Sequence, residues 1–352
     1  MGVAAVDLSR LQGTPAEREA VLLTFLESCA SHGFVKIIGH GIPEARLKEL
    51  FHWTKEFFEF PASVKQTAPR PLVGPNRGYI AVGGEKLSGI SGYMKGVRNP
   101  VMRNDVKVCG SKLALSFQYL ISPKESFDAG PEHDKIHPTP WPVGPRCDEF
   151  RVFMEAFLLE CLAVHNDLLH LLEEALHLSP NDLTSRCSAG NGEVRITHYP
   201  PVPITQLKTG TTYRISEHTD VGILTLLFQD TVGGLEIEGQ TKSSDFIPIE
   251  SSNLNEMIVN CGDTLQRWTA NYLRSANHRV TYPPGLQDED ALIPARYSVG
   301  FFGKANMSAS MAALPEFASR LEGGVDMDER TAQEYYNYMH ERTVAAPAKV
   351  AA

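Results

Sequence analysis

Glu217-His218-Thr219-Asp220-Val221-Gly222-Ile223-Leu224-Thr225-Leu226-Leu227-Phe228-Gln229 places a His-x-Asp triplet directly before an apolar run. Residues i and i+2 of a strand share a face, so an extended His218 and Asp220 present an imidazole and a carboxylate side by side. That is two-thirds of a metal site. The run from Gly222 to Gln229 has the length of a core strand. It belongs to a series of short runs separated by turns: Val194–Tyr199, Leu235–Glu238, Phe246–Ile249, Met257–Asn260, His278–Tyr282 and Arg296–Phe302. Many short strands with turn signals between them predict an antiparallel sandwich or barrel.

A third ligand should come from another strand, and His278 opens one. Two imidazoles and one carboxylate fill one face of an octahedron and leave three positions open. This facial triad suits a non-haem Fe(II) that must bind both O2 and a chelating co-substrate. Further on, Arg296-Tyr297-Ser298 begins an apolar strand, and Arg296 and Ser298 again face one way. A guanidinium beside a hydroxyl can hold both oxygens of a buried carboxylate. A structural salt bridge explains that pair as readily.

Outside this segment the pattern is helical. Thr14-Pro15-Ala16-Glu17 is a capping box with proline at the first helical position. Gly33 to Gly41 is a short apolar strand between glycine breaks, and Pro43 opens a second helix. Residues 61–146 are rich in Pro and Gly and show no clear period. Residues 147–178 carry the longest helical pattern, with Phe150, Phe153, Met154, Phe157 and Leu158 recurring at three and four. Two further helical patterns, near Pro315–Leu321 and Asp328–Glu341, close the chain. The expected organisation is an N-terminal region, 1–146, packed on a core unit, 147–352, with the metal segment at about 194–302 and the whole forming one compact unit.

Composition narrows the functional classes. The 352 residues are 42% apolar and 21% charged, ordinary for a globular protein. A net charge of −9 disfavours nucleic acid or an anionic membrane surface as partner. The longest stretch without Asp, Glu, Lys or Arg is Ile196 to Leu207, too short to span a bilayer. The N-terminus lacks the basic and apolar regions of a signal peptide. Six dispersed cysteines, with no Cys-x-x-Cys pair, read as buried thiols in a reducing compartment, so a cytoplasmic location is expected.

The set His218-x-Asp220, His278 and Arg296-x-Ser298 resembles that of the Fe(II)/2-oxoglutarate-dependent dioxygenases of the isopenicillin N synthase-like family. The resemblance runs over most of the chain. It includes Gly33-Phe34 to Gly39-His40-Gly41, Phe57-Phe58-Glu59-Phe60-Pro61, Lys124 to Asp128, Pro138 to Pro142, His198-Tyr199-Pro200-Pro201, Gly233-Gly234-Leu235 and Asn260-x-Gly262-Asp263. It implies an α+β fold with a mainly β core, a distorted double-stranded β-helix (jelly roll) with flanking helices. His218, Asp220 and His278 would hold Fe(II). Arg296 and Ser298 would hold the far carboxylate of 2-oxoglutarate, with a hydrogen bond from Tyr199. The implied activity is O2-dependent oxidation of a small organic molecule, by hydroxylation, desaturation, ring formation or ring expansion, in a biosynthetic or secondary-metabolite pathway.

Two rivals stand beside this reading. One is an oxidase of the same fold that closes rings without 2-oxoglutarate, and the other a jelly-roll binding protein that has lost catalysis. Arg195 shares a strand face with Tyr199 and is a candidate to grip a polar substrate, or else a structural ion-pair partner. Phe301, Phe302 and Leu226 are candidates for the pocket wall or the core. Val221 stands just past the metal Asp, where relatives that hydroxylate a pyrimidine base carry an aromatic. A valine cannot stack on a flat ring, which argues against thymine as substrate. Residues Val97 to Ile121 match nothing in the family pattern. They are expected to be either a lid over the site or an insertion without function.

Overall fold

Arg296–Gly303 (β14) is the axis of the molecule. Its alternation puts Arg296, Ser298 and Phe302 on one face and Val299 and Phe301 on the other, and the two faces meet different surroundings. The structure, a computed structural model, describes residues 2–71, 74–84, 124–208, 214–239, 245–286, 288, 291–321 and 328–344. The segment expected as a lid or a functionless insertion, Val97 to Ile121, lies outside the described residues.

The other strands, in chain order, are β1 (Ala5–Asp7), β2 (Phe34–Ile38), β3 (Gly78–Ile80), β4 (Glu125–Ala129), β5 (Gly192–Tyr199), β6 (Val202–Pro203), β7 (Ile215–His218), β8 (Leu224–Gln229), β9 (Leu235–Glu238), β10 (Phe246–Pro248), β11 (Met257–Cys261), β12 (His278–Val280) and β13 (Leu292–Ile293). Eight of these described strands form one sheet in the order β1-β2-β11-β8-β14-β5-β4-β3, and four form a second in the order β10-β9-β12-β7. Pairing in the large sheet is antiparallel except for β1 on β2. This is the expected jelly roll with flanking helices.

Helices cover one face of the large sheet. They include α1 (Pro15–Ser31), α2 (Glu44–Glu59), α3 (Ala62–Lys65) and α4 (Cys147–Ala175). The capping box at the start of α1 is made as the sequence predicts, with the Thr14 side chain accepting from the Glu17 N–H. Leu168, Leu169 and Leu172 of α4 are buried, and its phenylalanines pack with Leu226, Phe228, Val299 and Phe301 in the principal core. Leu226 and Phe301 therefore belong to this core. Between the two sheets lies a smaller core of Phe34, Leu235, Ile237, Ile249, Ile258, Ala276 and Val280.

The 61–146 region, which shows no period, supplies α3, β3 and β4. Its fixing point is Glu125, which accepts from Lys65 Nζ (2.9 Å) and Tyr79 Oη (2.5 Å) and pairs with His198 Nδ1 (2.8 Å). Short α5 (Ile204–Lys208) and α6 (Asp263–Trp268) and the closing α7 (Ala332–Val344) complete the described α-helices. Among the described residues, no helix is long and apolar enough to cross a membrane.

Candidate metal centre and co-substrate pocket

β7 and β12 pair so that His218 lies directly opposite His278. The register then shifts between His278 and Val280, where β7 carries one residue more than β12, and bulges of this kind re-aim the side chains beside them. The two imidazole centroids are 4.1 Å apart. Each ring has its Nδ1 against a backbone carbonyl two residues back: Ser216 O at 2.8 Å for His218 and Ala276 O at 3.2 Å for His278. Both Nε2 atoms are thereby turned toward Asp220, and each lies 3.9 Å from its Oδ1. Ligand atoms of the three residues all fall within 4.8 Å of one another.

Asp220 reaches this position differently from the sequence expectation. β7 ends at His218, and Asp220 sits in the loop beyond it, not on the strand. Its placement is set by contacts instead of strand alternation. Thr225 Oγ1 and Asn260 Nδ2 both donate to Oδ2, at 2.6 and 2.8 Å. The Asp263 N–H donates to the Asp220 carbonyl at 2.7 Å. Gly262 allows that approach, because a Cβ there would lie 2.3 Å from the Gly222 carbonyl oxygen and 2.9 Å from that of Asp220. With Oδ2 engaged, Oδ1 is the oxygen left to face the imidazoles.

The electrostatics match a cation. Burial, and next the neighbouring His278 imidazole, pushes His218 down to about 4, so the ring is neutral and its nitrogen lone pair available. Burial alone would raise the Asp220 carboxyl, but the two imidazoles and its two hydrogen-bond donors hold it below the usual range. Two imidazoles and one carboxylate, each turned by a hydrogen bond from behind, are the donor set that Fe(II) takes.

The second half of the site lies at the far end of β14. Register places Arg296 opposite Tyr199, and Ser298 between Thr197 and Gln229. Arg296 is 1% exposed, and its guanidinium carbon stands 4.9 Å from the Tyr199 ring centroid. Its Nη2 donates to Gln229 Oε1 at 2.6 Å. Nε and Nη1 are buried and have no hydrogen-bond partner among the described residues. A buried cation with two donors to spare is costly unless an anion meets it, and the doubly bonding carboxylate of an oxo acid fits that need.

Other expected residues divide. Arg195 is on the face shared with Tyr199, but its Nε is bound to the fully buried Asp128 at 2.7 Å. Of the two roles open to it, an ion pair is present. Phe302 lies near it, its ring 5.9 Å from the Arg195 guanidinium carbon. Val221 is half-buried and packs against the principal core, while its carbonyl accepts from Thr264 Oγ1 at 2.7 Å. Gln229, Thr225 and Asn260 escaped functional reading of the sequence. Thr225 and Gln229 carried one available signal: both share a strand face in an otherwise apolar run.

Known proteins resemble the chain throughout. Residues 3–143 match the family model of the non-haem dioxygenase in morphine synthesis N-terminal region, and residues 191–304 that of the 2OG-Fe(II) oxygenase superfamily. The 2-oxoglutarate-dependent dioxygenase frbA of Dothideomycetidae sp. (strain 11243) is 38% identical over 325 residues, covering 92% of this chain and 91% of that protein. Proline hydroxylase buaE of Petromyces alliaceus is 38% identical over 326 residues, covering 92% of this chain and 94% of that protein. The solved structure of a full-length Neurospora crassa protein in complex with alpha-KG superposes with a TM-score of 0.78 at 26% identity, covering 96% of this chain and 95% of that one. These likenesses favour neither the ring-closing oxidase nor the inactive binding protein. Taken with the His-Asp-His cluster, they make the chain a member of the Fe(II)/2-oxoglutarate-dependent dioxygenases, of the isopenicillin N synthase-like kind, which use Fe(II), O2 and 2-oxoglutarate.

Proposed function

We propose that this dioxygenase oxidises a C–H bond of a small, non-planar organic molecule in a secondary-metabolite pathway, with hydroxylation as its simplest outcome. His218, Asp220 and His278 hold Fe(II) in this reading, and Arg296, Ser298 and Tyr199 receive the far carboxylate of 2-oxoglutarate. The observation that carries it is the buried Arg296 fork with Nε and Nη1 unmatched among the described residues. Bound Fe(II) supplies the activation of O2 that couples decarboxylation of 2-oxoglutarate to substrate oxidation. The protein's own residues supply position. Gln229 fixes the Arg296 fork, and Thr225 and Asn260 fix the carboxylate ligand.

The substrate side is assigned to Arg195, Val221 and Phe302. Arg195 and Phe302 lie on neighbouring strands of the large sheet, and Val221 follows the metal Asp in the chain. Valine at 221 offers no aromatic surface to a flat base. Among the relatives is a protein named proline hydroxylase, whose name fits a compact, saturated substrate. The ion pair with Asp128 leaves Arg195 to act as a held charge beside the pocket.

The test is Arg296→Gln. Breaking a buried charge pair costs on the order of 3–5 kcal/mol. That corresponds to a loss of 2-oxoglutarate affinity of about a hundredfold or more, read as substrate-dependent succinate release against 2-oxoglutarate concentration. An unchanged affinity means that the carboxylate binds elsewhere.

A further inference from the structure

A second arginine stands behind the first. Arg214 immediately precedes β7 and is fully buried, at 0% exposure. Its guanidinium carbon is 5.7 Å from the centroid of Tyr199, the ring that Arg296 approaches to 4.9 Å. Its Nη2 donates to the Pro294 carbonyl at 2.8 Å and reaches the Pro200 carbonyl at 3.5 Å. Pro200 directly follows Tyr199, and Pro294 lies two residues before Arg296. One side chain therefore touches the end of β5, the start of β14 and the ring between them, and β7 joins it directly to His218.

We propose that Arg214 is a positioning residue for the second carboxylate of the oxo-acid co-substrate, holding Tyr199 and the Arg296 strand at a fixed spacing from the metal strand. The inference rests on the assignment of Arg296 and Tyr199 to that carboxylate. Arg214 does this through stacking and carbonyl bonds. Its charge adds to the pull of the pocket on a dianion, since two cations share one aromatic ring. Burial first, and Arg296 second, brings Arg214 down to about 10, so it remains a cation near neutral pH. The acid selected is a dicarboxylate, because a monocarboxylate would leave this cationic end unmatched.

The experiment compares two probes by calorimetric titration of the Fe(II)-loaded protein under argon. 2-Oxoglutarate has both carboxylates; 2-oxobutanoate keeps the metal-chelating end and lacks the second carboxylate. In Arg214→Met the preference for 2-oxoglutarate over 2-oxobutanoate should fall at least tenfold, with Fe(II) affinity unchanged. Arg214→Lys, which keeps the cation and one carbonyl bond, should recover most of that preference, and Arg214→Gln, which keeps a donor without the charge, should lose it as methionine does and serves if the methionine variant does not fold. Equal weakening toward both probes would mean a merely structural role and overturn the inference, as would a preference unchanged in Arg214→Met or in the glutamine variant that replaces it. Arg296→Gln separates the two readings. If it too leaves the preference intact, the pocket assignment has failed; if it collapses the preference while Arg214→Met does not, only the inference has.

Discussion

Thr225→Val tests how Asp220 is held off its strand. The hydroxyl of Thr225 donates to Asp220 Oδ2 at 2.6 Å in a buried setting, and valine keeps the shape while removing the donor. A hydrogen bond to a charged group contributes about 1.5–3 kcal/mol. Asn260 still donates to the same oxygen at 2.8 Å, so the loss falls toward the lower end of that range. At about 1.4 kcal/mol per tenfold, Fe(II) affinity should drop about tenfold, a size typical when a hydrogen bond behind a metal ligand is lost. Adding Asn260→Leu should take the loss toward about a hundredfold, short of full additivity because the two donors share one acceptor. The assay is competition for Fe(II) against a chelator of known affinity under argon, with circular dichroism to confirm folding. Unchanged affinity in the double variant would refute the reasoning. So would tighter binding, since it would mean that the released Oδ2 joins the metal and was never reserved for support.

Glu125 carries a pH signature. Burial would raise its carboxyl, yet His198, Tyr79 and Lys65 bring it from 4.5 down to about 2, so the stability it contributes is present above about 4.5 and lost as pH falls toward 2. Glu125→Gln should be less stable at neutral pH and show a flatter acid limb in melting temperature against pH; an identical acid slope would contradict the assignment. Gly303→Ala would set a Cβ 2.1 Å from Nε2 of His165, a side chain only 2% exposed, and should cost about 1–3 kcal/mol by denaturant titration. Arg195→Met should raise the substrate KM while sparing 2-oxoglutarate affinity. If 2-oxoglutarate alone is weakened, Arg195 belongs to the co-substrate end.

The strands of the metal segment were legible because their apolar runs are continuous and their ends are marked by turns. Arg296 and Ser298 could be paired on one face from period alone, and the register of β14 puts them there. Strand alternation paired His218 with Asp220 for a reason that the structure does not use: the loop carboxylate is set by Thr225, Asn260 and the Asp263 N–H. Such support comes from elements distant in sequence and leaves no local period. The same holds for Arg195, whose partner Asp128 lies on β4 within a stretch that shows no pattern of its own. Arg214 gives no signal at all, since an arginine before a strand is ordinary until its burial and the Tyr199 ring are seen together.

Among the described residues the large sheet ends on both sides in three-residue strands, β1 and β3. An edge that short offers a foreign strand few free N–H and C=O groups, so the ends of the sheet resist templated addition and aggregation. On the β1 side this protection depends on Ala5–Asp7, which cover the five-residue β2. Shortening the chain from its N-terminus past Asp7 would bare Phe34–Ile38, a longer and mostly buried apolar ribbon. The first cost of such a truncation would be solubility during expression, well before any effect on the iron or its ligands.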